Sequence, residues 1–162
     1  MLIRAARAQE YAAVGELTAR VYLDAGFVAA GHPYEPVLKD AAGRARKAEL
    51  LVAVDGDRVV GSVTFAAGGS PYADTAEGPD EADFRMLVVD PAARGRGVGE
   101  ALVRACAARA RDTGARVLRL STQPDMHAAR RLYERLGFVR TPELDWSPLP
   151  GVRLLAYALP LA

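Results

Sequence analysis

The sequence predicts a single α/β domain, residues 1–162, built on a mixed sheet. Three observations carry that reading. Apolar, β-branched runs alternate with helical patterns along the chain, which points to crossover helices between strands. Asp55-Gly56-Asp57-Arg58 separates two apolar runs as a hairpin turn would, so part of the sheet is antiparallel. The length of 162 residues suits one domain with a real hydrophobic core and is too short for two comfortable ones.

The elements follow in order. Leu2–Arg4 reads as a short strand, and Ala8 to Tyr22 as a helix with Tyr11, Val14, Leu17 and Val21 at helical spacing. Asp24–Pro36 reads as a loop with aromatic content (Phe27, His32, Tyr34), and Val37–Lys47 as a second, shorter helix. Leu50–Val54 and Val59–Phe65 form the hairpin, followed by a long Gly/Pro/Asp-rich loop over Ala67–Pro79. Asp83–Val89 is a strand and Val98–Asp112 a helix, closed by Thr113-Gly114. Val117–Leu120 is a further strand. Asp125–Leu136 reads as a helix that follows Pro124, takes an N-cap at its start and stops at Gly137. Phe138–Val139 and Val152–Leu159 are the last strands, joined by an irregular connector over Thr141–Gly151 that contains Trp146.

Composition removes several function classes. A net charge of +1 gives no general attraction to nucleic acid or to a membrane surface, so neither is an expected partner. The single cysteine, Cys106, permits no internal disulfide, and with only His32 and His127 beside it a Cys/His metal site is not expected. No run approaches membrane-spanning length and Met1–Arg7 lacks the apolar core of a signal peptide, so a cytoplasmic setting is expected. Only Lys39 and Lys47 could form a Schiff base, and both lie in a polar helical stretch.

The chemistry concentrates in Val88-Val89-Asp90-Pro91-Ala92-Ala93-Arg94-Gly95-Arg96-Gly97-Val98-Gly99-Glu100. A strand ends in a Pro turn, an Arg/Gly loop follows, and a helix begins at once. Glycines leave backbone N–H groups unobstructed, the helix N-terminus adds positive potential, and two arginines supply cations. The same pattern could also be a tight turn with solvated arginines. A Walker loop fails because no lysine is near, and a dinucleotide fingerprint fails because the third glycine falls at Gly99 where the spacing demands position 100, which is Glu.

Arg94-x-x-Gly97-x-Gly99, set between a strand and a helix, resembles the acyl-CoA pyrophosphate motif of the GNAT superfamily of N-acetyltransferases. Downstream, Ala129-Arg130-Arg131-Leu132-Tyr133-Glu134-Arg135-Leu136-Gly137-Phe138 is similar to that superfamily's Ala-x-x-Leu-Tyr-x-x-x-Gly-Phe segment. The motif-level resemblance covers roughly Asp83 to Val139, and the element order extends it to the rest of the chain. It implies a mostly antiparallel twisted sheet of about six or seven strands, with a splayed parallel pair and about four flanking helices.

The resemblance also implies an acetyl-CoA-dependent N-acetyltransferase that moves the acetyl group directly to a primary amine of a small molecule. Acetyl-CoA is then a cosubstrate and no metal is required. Leu87, Val88 and Val89 would face the pantetheine arm, and Arg94, Gly95, Arg96, Gly97, Val98, Gly99 and Glu100 the pyrophosphate. Ala129 would lie beside the cofactor, with Met126 where many members carry an asparagine that reaches the pantetheine or the acceptor. Tyr133 matches the tyrosine that protonates the departing thiolate. A phenol near pKa 10 giving its proton to a thiolate near 8.5 is uphill by about 2 kcal/mol, a small part of an acyl-transfer barrier. Tyr133 could equally pack its helix. Asp83 is the first candidate for the base that takes the amine proton and Glu81 the second; an aspartate near pKa 3.9 would need burial or a water relay.

Phe27, His32, Tyr34, Tyr72, Arg85 and Trp146 are the candidates for the acceptor side. At pH 7 a lysine-type amine costs about 4.6 kcal/mol to deprotonate and an α-amine about 1 kcal/mol, which favours the α-amine where the base is weak. Cys106 reads as a small buried hydrophobe, so no covalent acyl-enzyme is expected. Two alternatives stay open from the residues. One is acetylation of a protein or peptide N-terminus. The other is a non-catalytic acyl-CoA-binding or sensing domain, which could form a homodimer with exchanged tails.

Overall fold

A computed structural model describes residues 1–68, 70, 78–148 and 150–161. The described residues form two compact units: Met1–Phe65 with Met86–Ala105, and Ala66–Arg85 with Cys106–Ala162.

The first unit contains β1 (Leu2–Ala5), α1 (Tyr11–Asp24), α2 (Glu35–Lys39), α3 (Ala41–Lys47), β2 (Glu49–Asp55) and most of β3 (Arg58–Ala67). It also takes the end of β4 (Glu81–Val89) and the first half of α4 (Val98–Asp112). β1 runs antiparallel to β2 from Leu2↔Val54 to Ala5↔Leu51, and β2 antiparallel to β3 from Glu49↔Phe65 to Asp55↔Arg58. Leu50 to Val54 are all buried, which explains why this strand is a continuous apolar run and does not alternate. Val14 from α1 and Ala41 from α3 pack with Leu50, Val52 and Val54. A second cluster joins Ala19, Val28, Leu38 and Met86.

The predicted helix over Val37–Lys47 is two helices. The break is Asp40 (φ −83, ψ 64), whose Oδ1 accepts from the Gly43 N–H at 3.0 Å and caps α3. A short acidic side chain that bonds its own downstream backbone competes with helix continuation. The carbonyls this leaves at the end of α2 are met by Arg44, only 1% exposed, whose Nη1 donates to Val37 O at 2.8 Å and Leu38 O at 3.0 Å. The first helix also begins later than predicted, because Ala8–Glu10 form one 3₁₀ turn before α1.

The second unit contains the start of β4, the end of α4, β5 (Val117–Thr122), α5 (His127–Arg135), β6 (Val139–Arg140) and β7 (Leu155–Pro160). Glu81–Phe84 pair in parallel with Val117–Leu120. β5 pairs antiparallel with β7 from Val117↔Pro160 to Thr122↔Leu155, and β7 pairs antiparallel with β6. The hydrogen-bonded order of the strands is therefore β1-β2-β3-β4-β5-β7-β6, a seven-stranded mixed sheet with one parallel pair at β4-β5.

One expectation changes in this unit. α5 starts at His127, with Met126 at its N-cap and no side-chain bond there, where Asp125 was expected to open the helix. The connector before β7 is irregular as expected, but it is tied by one carboxylate. Asp145 accepts from Arg140 Nη1 at 2.7 Å and Nη2 at 2.8 Å, from Arg153 Nη2 at 3.1 Å, and from the Ala156 N–H at 2.8 Å. The Arg140 bonds hold its carboxyl far below the usual carboxylate range, against the opposing effect of burial.

Candidate functional site

In the first unit the structure places the Arg/Gly loop between β4 and α4. Arg94, Gly95, Arg96 and Gly97 are all exposed, and Val98 opens the 15-residue helix as a buried anchor. Gly95 (φ 79) and Gly97 (φ 77) adopt the left-handed conformation, where a side chain would be strained although space is open around both. Both glycines lie directly before the positive end of a 15-residue helix.

Both limbs of the loop are held by carboxylates. Asp90, 7% exposed, accepts from the Ala92 N–H at 3.0 Å and from Arg58 Nη2 at 2.8 Å, and Arg20 lies 3.5 Å away. Its carboxyl is lowered, first by the Ala92 bond and then by Arg58. Arg96 Nη2 donates to Asp55 Oδ2 at 2.9 Å, so the hairpin turn reaches the loop. The helix itself sits close because β3 carries Gly61. A Cβ there would lie 2.8 Å from Val98 Cγ1 and 3.1 Å from both Leu102 Cδ1 and Val88 O.

The strand leading into the loop contains a kink. Met86 (φ 54) is the non-glycine residue with positive φ among those described, inside β4 and buried at 5% exposure. Beyond it Leu87 and Val89 are half-buried and Val88 is buried. Of the residues expected on the acceptor side, Phe27 packs edge-on against Tyr22 at 6.1 Å, and Tyr34 donates its N–H to His32 Nδ1 at 3.0 Å. Beside them a depression of about 540 Å³ is lined by His32, Glu35, Lys39 and their neighbours.

In the second unit Tyr133 is 5% exposed and sits in an aromatic cluster: Phe84 at 5.8 Å, Phe138 at 5.8 Å and Tyr157 at 6.2 Å between ring centroids. These three rings account for the burial of the Tyr133 ring. Asp83, on β4 opposite Arg119 in register, is buried at 3% exposure. The fully buried Glu81 carboxylate accepts from Arg119 Nε at 2.7 Å, Arg119 Nη2 at 3.2 Å and Arg116 Nη2 at 3.1 Å, an ion pair that binds β4 to β5.

Met126 and Ala129 lie at the start of α5, where Met126 Sδ accepts from Thr122 Oγ1 at 3.4 Å. Arg85 is half-buried on β4. Trp146 bridges to Leu154 and donates its indole N–H to Ser121 Oγ at 2.9 Å, which pins it over β5. Tyr72 lies outside the described residues. Among the described residues no group of His, Cys, Asp and Glu could hold a metal ion, and no helix is long and apolar enough to cross a membrane.

Sequence reasoning overlooked Asp90, Asp55, Gly61 and Met86. Asp90-Pro91 and Asp55-Gly56 do carry local turn signals, but which arginine each carboxylate meets is a tertiary matter. Nothing local marks Met86.

Comparison with known proteins bears on the family and the fold. The acetyltransferase (GNAT) family profile matches residues 13–138. Mycothiol acetyltransferase from Cellulomonas flavigena is 36% identical over 132 residues, covering 75% of this chain and 38% of that protein. The chain thus spans about two fifths of the length of that relative. In fold, an acetyltransferase of the GNAT family from Staphylococcus aureus Mu50 aligns over 99% of both chains with a TM-score of 0.79 at 13% identity. The structure of yncA from Salmonella typhimurium, which contains its cofactor acetyl-CoA, aligns over 100% of this chain and 94% of its own with a TM-score of 0.71 at 22% identity. The chain belongs to the acetyltransferase (GNAT) family.

Proposed function

We propose that this chain transfers the acetyl group of acetyl-CoA directly to a primary amine of a small molecule. The observation that carries the proposal is the pair of exposed left-handed glycines, Gly95 and Gly97, immediately before α4. That loop suits a pyrophosphate in a chain of net charge +1, because the positive potential is concentrated in one turn. Arg94 to Glu100 are assigned to the pyrophosphate, Leu87 to Val89 to the pantetheine, and Met126 and Ala129 to the cofactor's reactive end.

The chemistry asked of the side chains is modest. The amine nitrogen forms a bond to the thioester carbonyl carbon, the carbon–sulfur bond breaks, and the thiolate takes a proton from Tyr133. The proton lost by the nitrogen passes to Asp83 directly or through water. Glu81 is not assigned that role, because two guanidinium groups occupy its oxygens. Cys106 is fully buried in α4, which favours direct transfer over an acyl-enzyme.

Tyr133→Phe tests the assignment, since it keeps the ring cluster and removes the proton. The expected result is a fall in kcat of about 10²- to 10⁴-fold with acetyl-CoA affinity retained. Unchanged turnover would remove Tyr133 from the chemistry. Acetyl-CoA binding without acetylation of any amine by the wild type would leave a binding domain.

A further inference from the structure

We propose that Tyr157 is a positioning residue for Tyr133, setting the rotation of α5 through two hydrogen bonds; this rests on the reading of Tyr133 as the proton donor. α5 is short and weakly held by its own sequence. It has nine residues, no side-chain bond at its N-cap, and Tyr133 as its one buried residue. A helix of that length is marginal alone, and on its apolar side Ala129 and Leu132 are only half-buried, which leaves Tyr133 as its one fully packed anchor.

Tyr157 supplies a directional tether. It is fully buried on β7, and its hydroxyl donates to Glu134 Oε2 at 2.8 Å and accepts from Arg130 Nε at 3.1 Å. Arg130 and Glu134 stand one turn apart and flank Tyr133 in sequence. Arg130 Nη1 also donates to Pro124 O at 3.0 Å, which extends the tether to the turn before the helix. The Tyr157 ring in turn contacts the Tyr133 ring at 6.2 Å and carries the Arg140 guanidinium 5.5 Å from its centroid. One buried side chain therefore touches the proton donor and grips the helix on both sides of it.

Proton transfer depends steeply on donor placement, and displacements of about 1 Å can cost 10²-fold in rate. Tyr157→Phe keeps the ring and deletes both bonds. The expected result is a fall in kcat of about tenfold, with the acetyl-CoA Kd, measured by calorimetry on the full chain, within about twofold of wild type. Combined with Tyr133→Phe, it should produce no further loss in kcat, because it acts through that hydroxyl. Should Tyr157→Phe fail to fold, Glu134→Ala removes the acceptor from an exposed position and should lower kcat about threefold at unchanged Kd.

An unchanged kcat per folded molecule in these variants, with only Tm reduced, overturns the inference. So does a further kcat loss in the double variant. If Tyr133→Phe alone leaves kcat unchanged, the reading of Tyr133 fails and this inference fails with it. If Tyr133→Phe lowers kcat and Tyr157→Phe does not, the inference alone fails.

Discussion

Arg119 Nε donates to Glu81 Oε1 across 2.7 Å, and the Glu81 side chain is completely buried while that of Arg119 is 11% exposed. This pair joins the first residues of β4 to β5, the parallel strands whose pairing covers Glu81–Phe84. Removing one partner of a buried pair leaves the other charge uncompensated. Glu81→Ala is therefore expected to lower unfolding stability by about 3 kcal/mol, read from the denaturant midpoint. The folded fraction should keep its acetyl-transfer rate, because Glu81 is assigned no proton.

Gly61→Val is expected to destabilise the first unit by about 1–3 kcal/mol through overpacking. Its Cβ would meet Val98 Cγ1 at 2.8 Å and Leu102 Cδ1 at 3.1 Å, at the start of the helix behind the loop. Thermal unfolding checks this; a Tm equal to wild type would show that α4 does not seat on Gly61.

Gly97→Ala places a side chain at φ 77, and Gly56→Ala places one at φ 63 in the hairpin turn. Each should cost about 1–2 kcal/mol of stability from backbone strain. Only Gly97→Ala should also raise the acetyl-CoA KM, by about tenfold, since only that backbone is assigned to phosphate. Equal KM values for the two variants would separate the loop from cofactor binding.

Acid stability should depend on Glu10. Arg4 donates Nη1 and Nη2 to its two oxygens at 2.8 Å each. Those bonds lower its carboxyl from 4.5 to about 2, burial opposes them, and the Arg7 N–H adds a further bond. A carboxyl depressed on folding stabilises the protein above the unfolded value, and that stabilisation is lost as pH falls from about 4.5 towards 2. Glu10→Gln should flatten this part of the stability–pH curve. An identical acid limb in the variant would show that the Arg4 pair is not what titrates.

Much of the fold was legible because it is written in local patterns. The apolar run at Leu50–Val54, the turn at Asp55–Arg58 and the Gly-rich segment before Val98 each dictate their element within a few residues. The backbone of the loop was legible because left-handed positions favour glycine, and Gly95 and Gly97 stand at two of them. What escaped depends on partners distant in sequence. Asp40 looked helix-compatible until its own capping bond broke the helix. Asp145 orders the last connector only because Arg140, Arg153 and Ala156 converge on it. Met86 takes a left-handed conformation that its residue type does not announce. Asp83 was ranked ahead of Glu81 as a base from sequence, and the ion pairs of Glu81 with Arg116 and Arg119 depend on residues about 35 positions away.

Release of free thiol from acetyl-CoA, followed across amino acids, polyamines, aminoglycosides, arylamines and N-terminal peptides, tests the central claim most directly. Thiol release is expected to require an amine, to match N-acetyl product one for one, and to favour small molecules with low-pKa primary amines. No amine-dependent thiol release across the panel, despite measured binding of acetyl-CoA, would contradict it.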